Sequence, residues 1–332
     1  MADPLISLVI PMYNAARHLE ACLASVAAQT CASFECHCID DGSTDGTAAI
    51  AQAFAARDPR FRWVWQPNAG CSAARNRGMR LAAAPYLAFL DADDLLHPQA
   101  LEVSLDLSER HQADVATFRH ADVPDAFVLG ESDKYVPGTL PACVTDTPFR
   151  SFFQPQRDKV KGLPVEIWLN LYRRAAICGV EFSEGVHFAE DMVFVVKVMR
   201  CIRRQVCTPT TLVFHRDNPA SAINQGITEK YIRSHVQAAR VLHDYFARQA
   251  LAPQEARLLA RYLSYMLYKS CVSQPARKLR LPEGRAVLAC ARGLASELAA
   301  QGLLDAGGLG LRKRLATRCF LGGWLGLAKR LA

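Results

Sequence analysis

The chain has 332 residues, of which 51% are hydrophobic and 21% charged, and a formal net charge of +7. That composition is globular, long enough for one large domain or two moderate ones, and it excludes a disordered or low-complexity chain. The charge is segregated: residues 251–332 carry 14 Lys and Arg against 4 Asp and Glu, so the basic character belongs to the C-terminal end and points to a polyanionic surface as partner.

The first third alternates strand and helix. Residues 5–10 form an apolar run, and Asn14 can cap a helix with Leu19, Cys22, Leu23 and Val26 at helical spacing. A second strand is predicted over 34–39, with Asp45 as cap for an Ala-rich helix through residue 56. A third strand over 61–65, a helix over 72–83 and a fourth strand over 86–90 follow. A helix opened by Pro98 and a strand near 114–118 complete the series. Strands separated by single helices imply parallel pairing and an α/β doubly wound, mostly parallel sheet with helices on both faces. In such sheets ligands bind beyond the carboxyl ends of the strands.

Each of those ends is polar or has special backbone: Pro11-Met12-Tyr13-Asn14, Asp40-Asp41-Gly42-Ser43-Thr44-Asp45, Asn68-Ala69-Gly70, and Asp91-Ala92-Asp93-Asp94. In the last, strand alternation places Asp91 and Asp93 on one side and turns Ala92 away. Two such carboxylates repel unless a cation lies between them, and oxygen-only ligands favour Mg²⁺ or Mn²⁺. The other reading of this cluster is an acidic cap for the helix near Pro98.

Residues 121–164 break the alternation with prolines and scattered charge, as a substrate-specific insertion over the sheet would. Regular pattern returns over 166–172, in a helix over 189–200 and in a short strand over 211–215. Beyond Thr228 the chain reads as helical, interrupted near Pro275, Pro282 and Gly307-Gly308. Twelve cysteines include Cys36-His37-Cys38 but no Cys-x-x-Cys pair, so they read as small buried hydrophobes in a reducing compartment. No signal-peptide pattern opens the chain, and no window reaches the ~18 uninterrupted apolar residues of a membrane span. The expected location is cytoplasmic.

With these residues in view, the chain resembles the family 2 glycosyltransferases of the GT-A fold, the bacterial type that builds surface polysaccharides. The strings that carry the resemblance are Ser7-Leu8-Val9-Ile10-Pro11-Met12-Tyr13-Asn14, Ile39-Asp40-Asp41-Gly42-Ser43-Thr44-Asp45 and Gly70-Cys71-Ser72-Ala73-Ala74-Arg75-Asn76-Arg77-Gly78. Phe89-Leu90-Asp91-Ala92-Asp93-Asp94, Trp168-Leu169-Asn170-Leu171-Tyr172-Arg173, Phe182-Ser183-Glu184-Gly185, Glu190-Asp191 and His215-Arg216 follow in the family's order. The resemblance covers residues 4 to 225. It implies a GT-A domain over 1–225, with a nucleotide-binding half over 1–118 and an acceptor half over 119–225. A helical region with a basic amphipathic tail follows over 226–332.

The resemblance further implies a metal-dependent, inverting hexosyltransferase. It would move a sugar from a nucleotide sugar, UDP-linked by preference, to a saccharide or lipid-linked oligosaccharide acceptor in capsule or lipopolysaccharide assembly. Pro11, Tyr13, Asp40, Asp41, Asn68, Gly70, Arg75, Asp91 and Ala92 would bind the nucleotide sugar. Asp40 is the favoured pyrimidine reader, and Asp41 alternatively caps the turn. Asp93, Asp91 and His215 would hold Mn²⁺ or Mg²⁺, although a His after an apolar strand is as often structural. Asp191 would be the general base, with Glu190 orienting or binding the acceptor; the plain alternative is a pair of acids favoured at a helix N-terminus. Trp168 reads as a core aromatic or as a stacking surface for the acceptor.

Rival classes fail on missing loops. The first strand does not lead into Gly-x-Gly-x-x-Gly, and no phosphate-binding loop ends in Lys and Ser or Thr. The basic tail lacks the interleaved aromatics of a nucleic-acid binder. A catalytically inactive GT-A-like scaffold remains the alternative. From Leu311 to Leu331 the tail carries an apolar face with Leu311, Leu315, Phe320, Leu321, Trp324, Leu325 and Leu331, flanked by basic clusters. It reads either as a helix lying on the anionic inner face of the plasma membrane or as one packed on the protein.

Overall fold

The computed structural model describes residues 3–130, 134–136, 138–153, 165–218, 227–275, 285–301, 303–304, 311–321 and 328. It falls into two units, one of residues 1–184 and 194–221, the other of residues 185–193 and 222–332.

The first part of the chain runs β1 (Ile6–Met12), α1 (Ala16–Ala27), β2 (Phe34–Asp40), α2 (Thr47–Arg57), β3 (Phe61–Trp65), α3 (Cys71–Leu81), β4 (Tyr86–Phe89) and β5 (Leu95–Leu96). It continues with α4 (Ala100–Arg110), β6 (Val115–Pro124), β7 (Cys143–Thr145), α5 (Pro148–Phe153), β8 (Asn170–Arg173), α6 (Glu190–Cys201) and β9 (Gln205–Asp217). The strands form one sheet in the order β3-β2-β1-β4-β8-β6-β9-β5, with β7 on β9. β1 to β4 pair in parallel, as does β6 with β9, whereas β8 is antiparallel to β4 and β6, and β5 and β7 are antiparallel to β9. The mostly parallel, helix-flanked sheet is the one the alternation predicts, with three antiparallel strands added.

Burial on both faces explains why β1 reads as a nearly continuous apolar run, and β2 is buried at every position despite its polar residues. The polar pair inside them is satisfied internally: Ser7 Oγ donates to Glu35 Oε1 at 2.7 Å and accepts from Ala84 N. α3 approaches β1 so closely that a Cβ on Gly78 would sit 2.3 Å from Val9 Cγ1, so only glycine fits there. Phe89 meets Tyr172, Phe182 and Phe194 edge-on, and Phe182 stacks on Phe194 at 4.0 Å. This cluster fixes the end of β4, immediately before the aspartates.

Helix starts differ from expectation. α1 is preceded by Ala15 with no side-chain cap, because Asn14 turns its side chain across to the next loop and accepts from Thr44 N at 2.9 Å. The first amides of α1 are satisfied from that loop instead, Ala15 N by Thr47 Oγ1 and Ala16 N by Asp45 Oδ2. Asp45 also accepts from Thr47 N at the head of α2. α4 opens at Ala100, two residues after Pro98.

Eleven of the twelve cysteines have described side chains, all of them free, and Cys22, Cys36, Cys38, Cys207 and Cys271 are buried.

In the second unit Thr228 caps α7 (Glu229–Ala247) by accepting from Tyr231 N. α8 (Pro253–Leu267) runs on into a π-helical stretch, Tyr268–Ser273. α9 (Arg285–Ala300) and α10 (Leu311–Leu321) follow. Buried Ile232, Ala239, Leu242, Leu263, Leu267, Ala291, Ala295 and Leu298 recur at helical spacing and form this unit's core. α10 packs into the same unit: Ala316 and Thr317 are buried, and the Lys313 ammonium lies 4.1 Å from the centre of the Tyr265 ring. Trp324, Leu325 and Leu331 lie outside the described residues, as do residues 154–164 of the insertion. No helix among the described residues is long and apolar enough to cross a membrane.

Candidate active site

Register brings the strand ends together. Met12, Asp40 and Trp65 are direct neighbours across β1, β2 and β3, and Val9 pairs with Phe89 at the end of β4. Pro11 is buried within β1, while Tyr13 beyond it is 54% exposed. Asp40 is fully buried, and its Oδ1 accepts from Ser43 N at 2.9 Å, closing the Asp-Asp-Gly-Ser turn. Asp40 Oδ2 has no hydrogen-bond partner among the described residues.

Asp41 reaches the next loop. Its Oδ1 accepts from Gln66 Nε2 at 2.7 Å and Ala69 N at 2.9 Å, and its Oδ2 from Gly70 N at 2.8 Å. It therefore sets the course of the chain that carries exposed Asn68. Gly70 has φ +90 at the head of α3, and a Cβ there would meet nothing within 4 Å. The backbone is open to a ligand at that point.

The aspartate turn closes with Asp94 N bonded to Asp91 O. Arg75, only 3% exposed in α3, donates from Nη2 to Asp91 Oδ1 at 2.9 Å and lies near the Phe182 ring. Asn218 Nδ2 donates to Asp93 Oδ2 at 3.1 Å. Ala92 is buried between the two acids, and so is Asp94, which accepts from Arg216 N. Burial, together with the charges of Asp91 and Asp93, pushes the Asp94 carboxyl up to about 9, so it stays protonated at neutral pH. Asp94 Oδ2 has no hydrogen-bond partner among the described residues. Protonated Asp94 offers no carboxylate, so the charged donors at this turn are Asp91 and Asp93, two oxygen ligands of the kind a hard cation that keeps part of its water shell would take.

His215 sits elsewhere in its contacts. Its Nδ1 is 3.0 Å from Asp122 Oδ1, and its ring stacks on Trp168 with centres 5.5 Å apart. His120 meets both rings edge-on. No group of three or more His, Cys, Asp or Glu side chains that could hold a metal ion occurs among the described residues. Trp168 is buried.

Glu190 and Asp191 occupy the first turn of α6, where the helix dipole favours acids. The residue before them, Ala189, has φ +78, a conformation costly for a residue with a Cβ and one that clusters at functional sites. The approach to it is pinned by Ser234 of α7, whose Oγ accepts from His187 N and Phe188 N and donates to Phe188 O. Arg77, inside the Arg75 string, and Arg80, just beyond it, play no part in these contacts among the described residues.

Asn76, Gln66, Asp94 and Asn218 are the supporting residues that sequence reasoning passed over. Asn76 donates to Phe182 O and accepts from Phe182 N, joining the Gly70–Gly78 string to the Phe182–Gly185 string. Its place inside the first of those strings was the available signal. Asn218 has no such signal.

The sequence model described as glycosyl transferase family 2 matches residues 7–175. The chain belongs to this family. It is therefore a glycosyltransferase. Within the family's wider range it is 28% identical over 279 residues to the glycosyltransferase EpsJ of Bacillus subtilis, covering 81% of this chain and 79% of EpsJ. It is 29% identical over 249 residues to the glycosyltransferase YibD of Escherichia coli K12, covering 71% and 70%. Among solved structures, residues 1–349 of TarS from S. aureus in complex with UDP-GlcNAc superpose with a TM-score of 0.71 at 16% identity, over 98% of this chain and 90% of that one. That last likeness is one of fold.

Proposed function

We propose that this enzyme transfers a sugar with inversion from a UDP-linked donor to a hydroxyl of a saccharide acceptor in surface-polysaccharide assembly. The observation that carries the donor half is the convergence at the strand ends of the Asp41–Gly70 turn with the Arg75–Asp91 pair. An open glycine backbone, an exposed Tyr13 and a buried guanidinium together match a base, a ribose and a diphosphate.

The base reader is Asp41 in this reading, a shift from Asp40. Both carboxylates are buried, but Asp40 closes its own turn through Ser43 N, whereas Asp41 meets the backbone that opens toward the ligand. A carboxylate has about four lone-pair directions, and three on Asp41 are used, which leaves one for a uracil N–H. Arg75 holds Asp91 in place and brings positive charge to the diphosphate side. Asp93, with Asp91, would hold Mn²⁺ or Mg²⁺. When bound, such a cation offsets the charge of the diphosphate leaving group. His215 is left out of that set.

Asp191 is the general base in this reading, taking the proton of the attacking acceptor hydroxyl, with Glu190 orienting the acceptor. Ser234 and the strained Ala189 fix the segment that leads into it. A base opposite the leaving group gives in-line displacement, hence inversion. The enzyme would act at the inner face of the plasma membrane.

The test is release of UDP from a panel of UDP-sugars with Mn²⁺ present. Wild type is expected to turn over at least one donor, and Asp191→Asn to lose about three orders of magnitude in kcat with UDP affinity retained. Weakened UDP binding with ordinary turnover would move Asp191 into the donor pocket, and no release from any UDP-sugar would overturn the UDP-linked donor.

A further inference from the structure

A groove of about 610 Å³ in the second unit is lined by Lys230, Arg233 and Arg240 of α7, by His187 and Gly185, and by Leu294 of α9. We propose that this groove binds the anionic groups, carboxylate or phosphate, of the acceptor saccharide. The proposal rests on the transferase reading above and gives its acceptor a charge.

Lys230, Arg233, Gln237 and Arg240 recur at i, i+3, i+7 and i+10, so they form one stripe along α7. The opposite face of the same helix is apolar and buried through Ile232, Val236, Ala239 and Leu242. Its cations are partly compensated, and Glu229 also lines the groove. Arg233 is 3.4 Å from Glu229 one turn earlier, an exposed pair of little energetic weight. Arg240 pairs with Glu297, and Lys230 has no ion-pair partner among the described residues. Sequence composition points the same way, since residues 226–332 hold 18 Lys and Arg against 6 Asp and Glu.

Position supplies the second argument. Gly185 and His187 line the groove and lie six and four residues before Asp191 on a segment that belongs to the same unit. Ser234, also in the lining, clamps that segment to α7 through His187 N and Phe188 N. The basic stripe and the approach to the proposed base are thus hydrogen-bonded to each other within one unit. An oxyanion seated among Lys230, Arg233 and Arg240 would hold its saccharide against the chain that leads to Asp191. Forked guanidinium donors accept either carboxylate or phosphate, which is the chemistry the two share.

The experiment measures binding of fluorescent oligogalacturonate, short-chain polyphosphate and a neutral dextran oligosaccharide to the full chain. Wild type should bind at least one anionic probe, with affinity falling as salt rises, and should not bind dextran. Lys230→Glu/Arg233→Glu should weaken that binding at least tenfold. Arg257→Glu/Arg261→Glu makes the same charge change on the exposed face of α8, and should keep it within about twofold. Thermal melts check that both variants fold. Preference for oligogalacturonate or polyphosphate tells the carboxylate acceptor from the phosphate one. Equal losses in both double variants, or no anionic binding by wild type, would overturn the groove. The donor half is read separately: absent UDP release alongside intact, groove-dependent probe binding refutes the UDP-linked donor and leaves the anion site standing.

Discussion

Asp40 and Asp41 are separated by one peptide bond and by the whole direction of a strand's alternation. Asp40 faces inward and closes its own turn, and Asp41 reaches over to Gln66, Ala69 and Gly70. The consequences for mutation diverge. Asp41→Asn replaces an acceptor of two backbone amides with a group that offers only one oxygen. It should cost about 2 kcal/mol of stability in urea denaturation and weaken UDP binding tenfold or more by calorimetry. Asp40→Asn keeps an oxygen for Ser43 N, so UDP affinity should stay within about threefold, an affinity change under ~1 kcal/mol. The reverse ranking of UDP affinities would return the base to Asp40. Arg75 offers a second check at this scale. Arg75→Lys keeps the charge but cannot fork, and the Asp91 carboxylate would lose its 2.9 Å partner geometry. The expected result is a rise in KM for the donor larger than the fall in kcat.

At the scale of elements, the loops after β1 and β2 cap one another's helices. Asp45 is the centre of that exchange, accepting from Ala16 N of α1 and from Thr47 N of α2. Burial alone would raise its pKa, but the hydrogen bonds from Thr47 and Ala16 outweigh it and hold the carboxyl below its usual value. A lowered folded pKa means stability that is present above the ordinary carboxylate range and is lost as pH falls through the folded value. Wild type should therefore lose more of its melting temperature than Asp45→Ala between pH 6 and pH 3, about the window spanned by carboxylate titration. Parallel melting curves for the two proteins would remove Asp45 from this role. The same exchange shows what a linear sequence conceals. Asn14 and Asp45 both carry cap chemistry, but which helix each serves depends on two loops meeting across 30 positions. The parallel strands β1 and β4 were legible because full burial leaves nearly unbroken apolar runs, and β2 and β3 from their place in the strand–helix alternation. β5 and β7 were not, since two and three residues carry no period. β9 was read as only residues 211–215 because Pro209 interrupts its pattern. In the structure that proline sits where the β6–β9 register shifts between Thr117 and Arg119, and a bulge tolerates a missing amide. The site was legible at its charged positions, Arg75, Asp91 and Asp93, and illegible at the amides that orient them. Asn218 comes from the far end of β9, and only the fold brings it to Asp93.

At the scale of the whole chain, the segregated positive charge divides between the groove on α7 and the C-terminal helix. α10 does not present its whole circumference to solvent: Ala316 and Thr317 are buried, and Lys313 is engaged over Tyr265. Arg314 and Arg318 lie one turn apart on the exposed side. Attraction to an anionic membrane through these two arginines needs no apolar face and no unpacking of the helix. Near a surface rich in acidic lipid each is worth about 1 kcal/mol, and the effect decays within a Debye length of ~10 Å at 0.1 M salt. The expected binding is therefore peripheral and salt-sensitive. Arg314→Glu/Arg318→Glu should lower co-sedimentation with phosphatidylserine vesicles several-fold at low salt while leaving the melting temperature unchanged, because neither side chain is part of the packed face. Truncation after Asp305 should abolish co-sedimentation and also destabilise the second unit, since it strips Lys313, Ala316 and Thr317 from their neighbours. Vesicle binding that survives 0.5 M salt, or that the arginine pair does not affect, would refute this electrostatic tether.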